Sequence, residues 1–255
     1  MLRVGTVPYL VARPLTWGLE ERADVELVAA PPSELARGLA AGELDVALAS
    51  SILAVEDPRY RLWEQGPVIA SRGPVRSVLL LLRPGLVDPS GVRRVGLDPH
   101  SRTGRVLATS ILRDRWRADF EAVELAGDDQ DFAAGVDAVQ RIGDPALLAA
   151  AERPDWRPVD LGAEWFELTG LPFVFAGWVG RPGFDPARAA EVLEPAATAG
   201  LGRRRQFAAA ADLPGLESSF LEDYLLRDIR YRLPAAEVRA AMAEFGRRVR
   251  QPVKG

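Results

Sequence analysis

A repeated segment constrains the fold of this chain more than any other feature of its sequence. RVGTVP begins at Arg3 and RVGLDP at Arg94, and each is an apolar stretch that runs into a loop. A second pair follows in the same order, with Asp45 in LDVALASS and Asp137 in VDAVQRIGD, so the two offsets are 91 and 92 residues. Short strand-to-loop segments also resemble each other by chance, but two ordered matches at nearly one offset favour two similarly built lobes.

Apolar and amphipathic segments alternate in both halves of the repeat. In the first half, LRVGTV, VELVAA and LDVALAS predict strands, and PPSELARGLAAG predicts a helix with Ser33 as N-cap and Gly42 at its end. In the second half, RRVGLD, FEAVEL and VDAVQRIG predict strands, with helices at SRTGRVLATSILRDRW and DDQDFAAG. This βαβαβ order predicts an α/β fold in which each lobe is a mostly parallel sheet with flanking helices.

Two apolar segments bounded by glycine and proline separate the units. They cover residues 73–85 (GPVRSVLLLLRPG) and 170–183 (GLPFVFAGWVGRPG), and we expect the chain to cross between the lobes there. The alternative is that both are ordinary core strands, and the two interpretations are compatible. The predicted lobes are residues 1–83 with about 184–255, and residues 84–183, on either side of a central cleft.

Composition excludes several kinds of chemistry. The chain has no cysteine, a single histidine at His100 and a single lysine at Lys254. Disulfides, thiol nucleophiles and iron–sulfur clusters are therefore excluded, and neither a metal site nor a Schiff-base lysine is expected. The net charge of −4 argues against a nucleic-acid partner and against attraction to anionic membranes. Because we find no secretory signal and no apolar run of the ~18 residues that a membrane span needs, we expect a cytoplasmic protein.

Four loops follow predicted strands at the end where open α/β sheets bind their ligands. They are Pro8–Leu10, Ser50–Ser51, His100–Thr103 and Gly143–Asp144. The third loop begins a helix, where unpaired backbone N–H groups and the helix dipole favour an anion. Its two hydroxyls and its arginine suit a carboxylate or a phosphate. The alternative is that the serine is only an N-cap and the arginine only a surface residue.

Several of these residues have a structural interpretation beside the functional one. Ser50 or Ser51 either caps the next turn or faces a ligand. Ser77, beside an apolar run, is either buried with its hydroxyl bonded to backbone or exposed on the cleft floor. For Asp144 we favour a cap of the helix DPALLAAA. The simplest expectation for His100 is a solvent-facing loop residue.

Six stretches of the chain, taken in order, match a known pattern over most of residues 3–180. They are VPYLVARPLTWGL, GELDVALASS, GPVRSVLLLL, LDPHSRTGRVL, RIGDPALL and DLGAEWFELTGLPFVFAGW. As a set they resemble the chorismate dehydratase family of the futalosine route to menaquinone. The resemblance implies a two-lobed fold like that of type 2 periplasmic binding proteins. It also implies a lyase that removes water from chorismate, giving 3-(1-carboxyvinyloxy)benzoate, with no metal or organic cofactor.

By resemblance, the substrate chorismate lies in the cleft between the lobes. The residues expected to line it are Pro8, Tyr9, Leu10, Val11, Ser50 and Ser51 from the first lobe, Ser101, Arg102, Thr103, Gly143 and Asp144 from the second, and Ser77, Pro172 and Phe173 at the hinge. We expect Ser77 to act in catalysis, by orienting a substrate carboxylate or the departing hydroxyl.

One position departs from the family pattern. The family usually has asparagine after YL in the first loop, where this chain has Val11, and the chain contains no asparagine. A polar contact to the substrate is therefore missing, which leaves both activity and the identity of the substrate open.

The sequence leaves the catalytic base open among Asp98, Asp144 and His100. A further hypothesis is that the enolpyruvyl carboxylate of the substrate takes the proton, while the protein supplies orientation and electrostatics. Two alternative functions also remain. One is a non-catalytic carboxylate-binding protein of the same fold, and the other is the sister enzyme that makes 1,4-dihydroxy-6-naphthoate.

Overall fold

The computed structural model describes residues 1–125 and 135–250, and twelve strands in this part of the chain form two sheets. Numbered in chain order, the strands are β1 (Leu2–Thr6), β2 (Val25–Ala29), β3 (Val46–Ser50), β4 (Arg61–Leu62), β5 (Val68–Ser71), β6 (Val78–Leu82), β7 (Arg94–Leu97), β8 (Glu121–Glu124), β9 (Ala138–Ile142), β10 (Arg157–Asp160), β11 (Phe173–Gly180) and β12 (Ile229–Arg230). The six strands predicted from the repeat are confirmed. The predicted helix DDQDFAAG falls almost wholly outside the described residues.

Helices cover the faces of both sheets. They are α1 (Arg13–Thr16), α2 (Pro32–Ala41), α3 (Ile52–Glu56), α4 (Thr103–Asp114), α5 (Gly143–Glu152), α6 (Leu161–Thr169), α7 (Ala190–Leu201), α8 (Arg204–Ala209), α9 (Ser218–Asp223) and α10 (Ala235–Val249). Gly42 ends α2 at a φ of 71°, as predicted. Ser33 is not the N-cap, because Pro32 with its fixed φ already starts the helix. None of the helices in the described ranges is long and apolar enough to cross a membrane.

Four strands follow the same order in the two sheets, with β11-β3-β1-β2 in one corresponding to β6-β9-β7-β8 in the other. The first runs β12-β5-β11-β3-β1-β2, with β4 also paired to β11, and the second runs β10-β6-β9-β7-β8. In the first sheet β1 is parallel to β2 and β3, and β11 is antiparallel to β3. In the second, β7 is parallel to β8 and β9, and β6 is antiparallel to β9. The two lobes are therefore built alike, as the sequence repeat predicts. The predicted mostly parallel sheets are wrong, because both sheets also contain antiparallel strands.

The sheets exchange one strand each, which moves the lobe boundaries. The predicted division after residue 83 leaves β6 in the first lobe, but β6 pairs with β9 in the second sheet. The predicted division after residue 183 leaves β11 in the second lobe, but β11 pairs with β3 in the first sheet. Both apolar segments thus contain core strands, and the chain crosses at residues 72–77 and 170–172. An apolar run buried on both faces gives no sign of which sheet it joins.

Each lobe carries an aspartate–arginine cluster at the end of its sheet away from the cleft. Asp45 accepts hydrogen bonds from the backbone and side chain of Arg3 and, at 3.1 Å, from Nε of Arg181. In the second lobe Asp137 accepts the backbone N–H of Arg94 at 3.0 Å and Nε of Arg83 at 2.8 Å. Arg181 and Arg83 directly follow the two exchanged strands. The clusters therefore join each exchanged strand to the sheet that receives it.

Asp160 fixes the first crossing segment. Its carboxylate caps α6 by accepting the N–H groups of Gly162 and Ala163 at 2.9 and 3.0 Å. It also accepts the N–H groups of Val75 and Arg76, the latter at 2.6 Å. Arg76 has a φ of 59°, a left-handed conformation that is uncommon for residues other than glycine. The Asp160 carboxylate thus fixes the start of α6 relative to the strained backbone of the crossing segment.

Candidate active site

A cavity that opens to solvent lies between the lobes at the carboxyl ends of the parallel strands. Eight of the predicted site residues line it: Tyr9, Val11, Ser50, Ser77, Ser101, Arg102, Thr103 and Gly143. The other lining residues are Val7, Pro32, Leu48, Ile69, Val75, Val78, Gly104, Ile142, Phe175 and Ala176.

The two walls of the cavity differ in polarity. The first lobe supplies mainly apolar side chains, among them Val11, Ile69 and Phe175. The second lobe supplies the start of α4, with two hydroxyls and Arg102. Arg102 is the one charged side chain in the described lining, and that lining contains no carboxylate. The cavity therefore suits a ligand with an apolar face and negative charge on one side.

The start of α4 has backbone N–H groups that no side chain caps. Arg102 occupies the N-cap position, and its side chain makes no capping hydrogen bond. Ser101 is not the N-cap that the alternative interpretation expected. Its buried hydroxyl accepts a hydrogen bond from Nε2 of Gln140 at 3.4 Å. A Cβ on Gly104 would stand 2.6 Å from the Ser101 Oγ, so glycine at this position makes room for that hydroxyl. The helix end is thus open towards the cavity.

Arg102 reaches across the cleft and still has a donor without a partner. Its Nη2 is 2.8 Å from a carboxylate oxygen of Glu56, which lies at the end of α3 in the first lobe. Its Nε is buried and makes no hydrogen bond in the described structure. A buried unpaired donor is costly, and it is a ready partner for a ligand oxygen.

Two serines of the cavity differ in their partners. Ser50 is 6% exposed, and its hydroxyl has no partner among the described residues. Ser77 is 4% exposed, and its Oγ accepts a hydrogen bond from the phenolic O–H of Tyr224 at 2.8 Å. The Ser77 carbonyl accepts the N–H of Gly143 at 2.7 Å, which fixes its backbone to the second lobe. Both interpretations of Ser77 thus hold together: it is buried, and it lies on the cavity wall.

Asp144 joins the lobes and does not cap a helix. Its two carboxylate oxygens accept the N–H of Leu10, in the first lobe, at 2.9 and 3.1 Å. The capping interpretation is wrong because α5 already begins at Gly143, with Ile142 at the cap position. Burial raises the pKa of Asp144, opposed by the Leu10 hydrogen bond and by the charge of Arg13. A sequence pattern cannot reveal this contact, which spans 134 residues.

A second contact across the cleft involves Thr103. Its Oγ1 accepts the N–H of Ile52 at 3.2 Å and lies 3.4 Å from the Ser51 Oγ. Ser51 is fully buried behind the cavity. The lobes are therefore held together on both sides of the cavity, as in a closed cleft.

Tyr9 covers the cavity from the first lobe. Gly143 has a φ of 65°, and a Cβ there would stand 2.7 Å from the Tyr9 ring, so glycine serves both the turn and this contact. Burial, followed by the charges of Asp98 and Asp144, raises the pKa of Tyr9. Its phenol is therefore protonated at neutral pH.

Six of the predicted site residues do not line the cavity. They are Pro8, Leu10, Ser51, Asp144, Pro172 and Phe173. Pro8 is exposed, whereas Leu10 is buried and contributes its N–H to Asp144. The Pro172 carbonyl accepts Nε1 of Trp165, and Phe173 packs edge-on against the same indole.

Phe175, two residues after Phe173 on β11, lines the cavity, and no residue pattern singled it out. Tyr224 and Gln140 also lacked a local signal, because their contacts to Ser77 and Ser101 are long-range. Only a three-dimensional arrangement brings these residues to the site.

None of the three side chains considered as catalytic base lines the cavity. His100 is exposed. Asp98 accepts the N–H of His100 and lies 3.9 Å from Nη1 of Arg141. Asp144 is engaged with the first lobe. Among the described residues, no group of three or more histidine, aspartate or glutamate side chains is arranged to hold a metal ion.

Comparisons with known proteins agree on family and fold. A family model described as menaquinone biosynthesis matches residues 2–251. A chorismate dehydratase from Thermus thermophilus is 31% identical over 221 residues, covering 80% of this chain and 79% of that protein.

Among solved structures, one protein from Archaeoglobus fulgidus superposes with a TM-score of 0.76 at 17% identity, covering 97% of this chain and 96% of that one. The periplasmic aliphatic sulphonate binding protein of Escherichia coli superposes with a TM-score of 0.63 at 18% identity, covering 96% and 85%. The fold is that of the periplasmic binding proteins, and the chain belongs to the menaquinone biosynthesis family.

Proposed function

We propose that this protein is a hydro-lyase that converts chorismate to 3-(1-carboxyvinyloxy)benzoate and water. The observation that carries the proposal is the cavity with unpaired donors on one wall and apolar side chains on the other. Chorismate has one carboxylate on a small ring with apolar faces and a second carboxylate on its enolpyruvyl side chain, which matches this division. The curated relative named chorismate dehydratase and the family match support the same reaction.

A substrate carboxylate binds at the start of α4. The buried Nε of Arg102, the unpaired N–H groups of the first helical turn and the Thr103 hydroxyl surround this position. Charge-assisted hydrogen bonds of this kind are roughly twice as strong as neutral ones. The ring then lies against the apolar wall that includes Val11 and Phe175.

The reaction removes a ring proton and the neighbouring ring hydroxyl, which leave together as water while the ring becomes aromatic. Because Asp98, Asp144 and His100 do not line the cavity, the enolpyruvyl carboxylate of the substrate accepts the ring proton and passes it to the departing hydroxide, which leaves as water. Ser77 donates to the departing hydroxyl or to a substrate carboxylate. The contacts between the lobes hold the substrate carboxylate close to the proton it removes.

The first test is turnover. Wild-type protein is incubated with chorismate, and the product is identified by mass. We expect an aromatic product that is lighter than chorismate by one water. Binding of chorismate without turnover would contradict the proposal and favour a carboxylate-binding protein.

The second test addresses the missing asparagine. Val11 is 5% exposed on the cavity wall, so Val11→Asn places a polar group against the ligand. One net hydrogen bond of about 0.5–1.5 kcal/mol corresponds to a rise in kcat/KM of about 2–13-fold. Val28→Asn, outside the cavity and 38% exposed, is the control. A fall in kcat/KM for Val11→Asn alone would indicate that this site has adapted to an apolar contact.

The third test concerns the base. If the substrate supplies the base, Asp144→Ala and His100→Ala keep the acidic limb of the pH–rate profile, where protonation of a general base lowers the rate. Loss of that limb in either variant, with chorismate still bound, would assign the proton to the protein.

A further inference from the structure

Tyr224 lies directly behind Ser77 and does not itself line the cavity. It begins a π-helical turn, Tyr224–Asp228, that follows α9 in the first lobe. The residue is fully buried, and its phenolic O–H is 2.8 Å from the Ser77 Oγ. Ser77, in turn, lies just before β6 of the second lobe. The contact therefore joins the two lobes through the residue that we expect to act in catalysis.

The direction of this hydrogen bond follows from the available acceptors. The Tyr224 hydroxyl has no acceptor other than Ser77 among the described residues. If it did not donate to Ser77, a buried O–H would be left without a partner, which native structures avoid. Burial also raises the pKa of Tyr224, so the phenol keeps its proton.

The proton of Ser77 is consequently directed elsewhere. A serine hydroxyl carries one proton and two acceptor positions, and Tyr224 fills one of those positions. Within the protein, the described alternative for the Ser77 proton is the carbonyl of Val75 at 3.4 Å. That distance exceeds the usual O–H···O range of about 2.5–3.0 Å, so a ligand oxygen in the cavity is the better acceptor.

We propose that Tyr224 is a positioning residue that makes Ser77 a hydrogen-bond donor to the ligand. The site then selects molecules that present an acceptor oxygen to Ser77, such as a carboxylate, an ether or a departing hydroxyl. This role deepens the proposed dehydration and rests on it. Without the tyrosine hydroxyl, Ser77 is free to turn its proton away from the ligand.

A double-mutant cycle tests the proposal. Tyr224→Phe keeps the ring packing and removes only the hydroxyl. We expect it to lower kcat/KM for chorismate by about 10-fold in the wild type, but by less than about 2-fold in a Ser77→Ala background. Tyr231→Phe is the matched control, since it removes another buried tyrosine hydroxyl, one that donates to the Val11 carbonyl at 2.9 Å. Tyr231→Phe should change kcat/KM by the same factor in the wild type and in the Ser77→Ala background. An equal effect of Tyr224→Phe in both backgrounds, or none in the wild type, would overturn the proposal.

A spectroscopic measurement on the intact protein is independent of how the Tyr224 variant folds. The buried Tyr224 hydroxyl proton should exchange slowly and give a low-field NMR resonance. That resonance should shift in Ser77→Ala and stay in place in Ser50→Ala, which removes another cavity hydroxyl. A resonance insensitive to Ser77→Ala would overturn the assignment of donor and acceptor.

Failure of the proposed function is recognised separately. If wild-type protein gives no product from chorismate, the dehydration proposal falls. The cycle is then measured on the Kd for benzoate, a small aromatic carboxylate, and the same comparison of backgrounds decides the role of Tyr224. Absence of benzoate binding to the wild type would contradict both proposals.

Discussion

The two lobes are alike at one end and different at the other. Away from the cleft, each sheet receives its exchanged strand through an aspartate, Asp45 or Asp137, that binds the arginine following that strand. Beside the cleft, the corresponding loops carry different residues. The first strand of the first lobe leads to Tyr9 and Val11, and that of the second leads to Ser101, Arg102 and Thr103. The duplicated end maintains the scaffold, and the divergent end supplies the residues that line the cavity.

The contacts that close the cleft show the same divergence. In both, the segment after the first strand of one lobe meets the helix start after the third strand of the other. On one side the residue after the third strand is the acceptor, since Asp144 accepts the N–H of Leu10. On the other side it is the donor, since Ile52 donates its N–H to Thr103. Equivalent positions thus use opposite hydrogen-bond directions, and only one of them requires a carboxylate.

The largest effect should come from the polar wall. Arg102→Gln removes the one cation of the described lining, and we expect kcat/KM for chorismate to fall by about 100-fold, or about 2.7 kcal/mol. Arg105→Gln is the control, because Arg105 lies on the same helix and pairs with Glu124 outside the cavity. Steady-state kinetics of both variants distinguish the loss of a contact in the cavity from the loss of one positive charge on the protein. Equal losses in the two would refute a specific role for Arg102.

Breaking the carboxylate contact of the closed cleft should have a smaller effect. Asp144→Ala leaves the Leu10 N–H without its partner, so the closed arrangement is less populated and KM should rise by about 10-fold with kcat less affected. Asp144→Asn keeps an acceptor oxygen and should recover most of the loss. Glu152→Ala, at the exposed far end of α5, is the control. A KM unchanged in Asp144→Ala would mean that the Thr103 contact suffices to close the cleft.

The duplicated clusters should differ modestly in strength. Asp45 receives side-chain hydrogen bonds from two arginines, and Asp137 from one. The arginines are more than a third exposed, so solvent screens these pairs and limits their contribution. We expect Asp45→Asn to lower the free energy of unfolding by about 1 kcal/mol and Asp137→Asn by less, as measured by urea denaturation at pH 7. The reverse order would show that backbone hydrogen bonds dominate both clusters.

The smallest effect is the pH dependence of the same contact. Burial opposes ionisation of Asp45, but the hydrogen bonds from Arg3 and Arg181 outweigh it and lower its pKa from 3.8 to about 2. A lowered folded-state pKa stabilises the fold fully above about pH 4, and this contribution is lost as pH falls towards 2. The difference in unfolding free energy between wild type and Asp45→Asn should therefore shrink to about 0.5 kcal/mol or less near pH 2. A difference independent of pH would assign the effect to packing.

The fold followed from the sequence to the extent that its signals are local. Strand and helix periodicity, together with the repeat, predicted the three parallel strands of each sheet but not the antiparallel strands beside them. The sheet that received VLLLL or FVFAGWVG was not predictable, because a strand buried on both faces has the same pattern in either sheet. Loops after strands identified six cavity residues, and the crossing segment and the family resemblance added Ser77 and Val11. Phe173 was predicted to line the cavity and does not, whereas Phe175, which was not predicted, does. Side chains two residues apart on one strand can still differ in their distance from the cavity.

Residues whose role depends on a long-range hydrogen bond could not be predicted from the sequence. Tyr224 is 147 residues from Ser77, and Asp160 is 85 from Val75. Their roles exist only after the chain has folded. Asp144 illustrates the opposite error, since a carboxylate beside a helix start predicts a local cap, yet the nearby backbone N–H that it binds belongs to the other lobe.

The exchange of strands also has a consequence for biosynthesis. β11 lies between β3 and β5, so the first sheet has a gap in its centre until residue 180 has been made. An N-terminal fragment that ends before Phe173 exposes two unpaired strand edges, which are sites for aggregation. The second sheet can form from a continuous stretch of chain, from β6 to β10. During synthesis, the lobe that begins first would therefore be the last to complete its sheet.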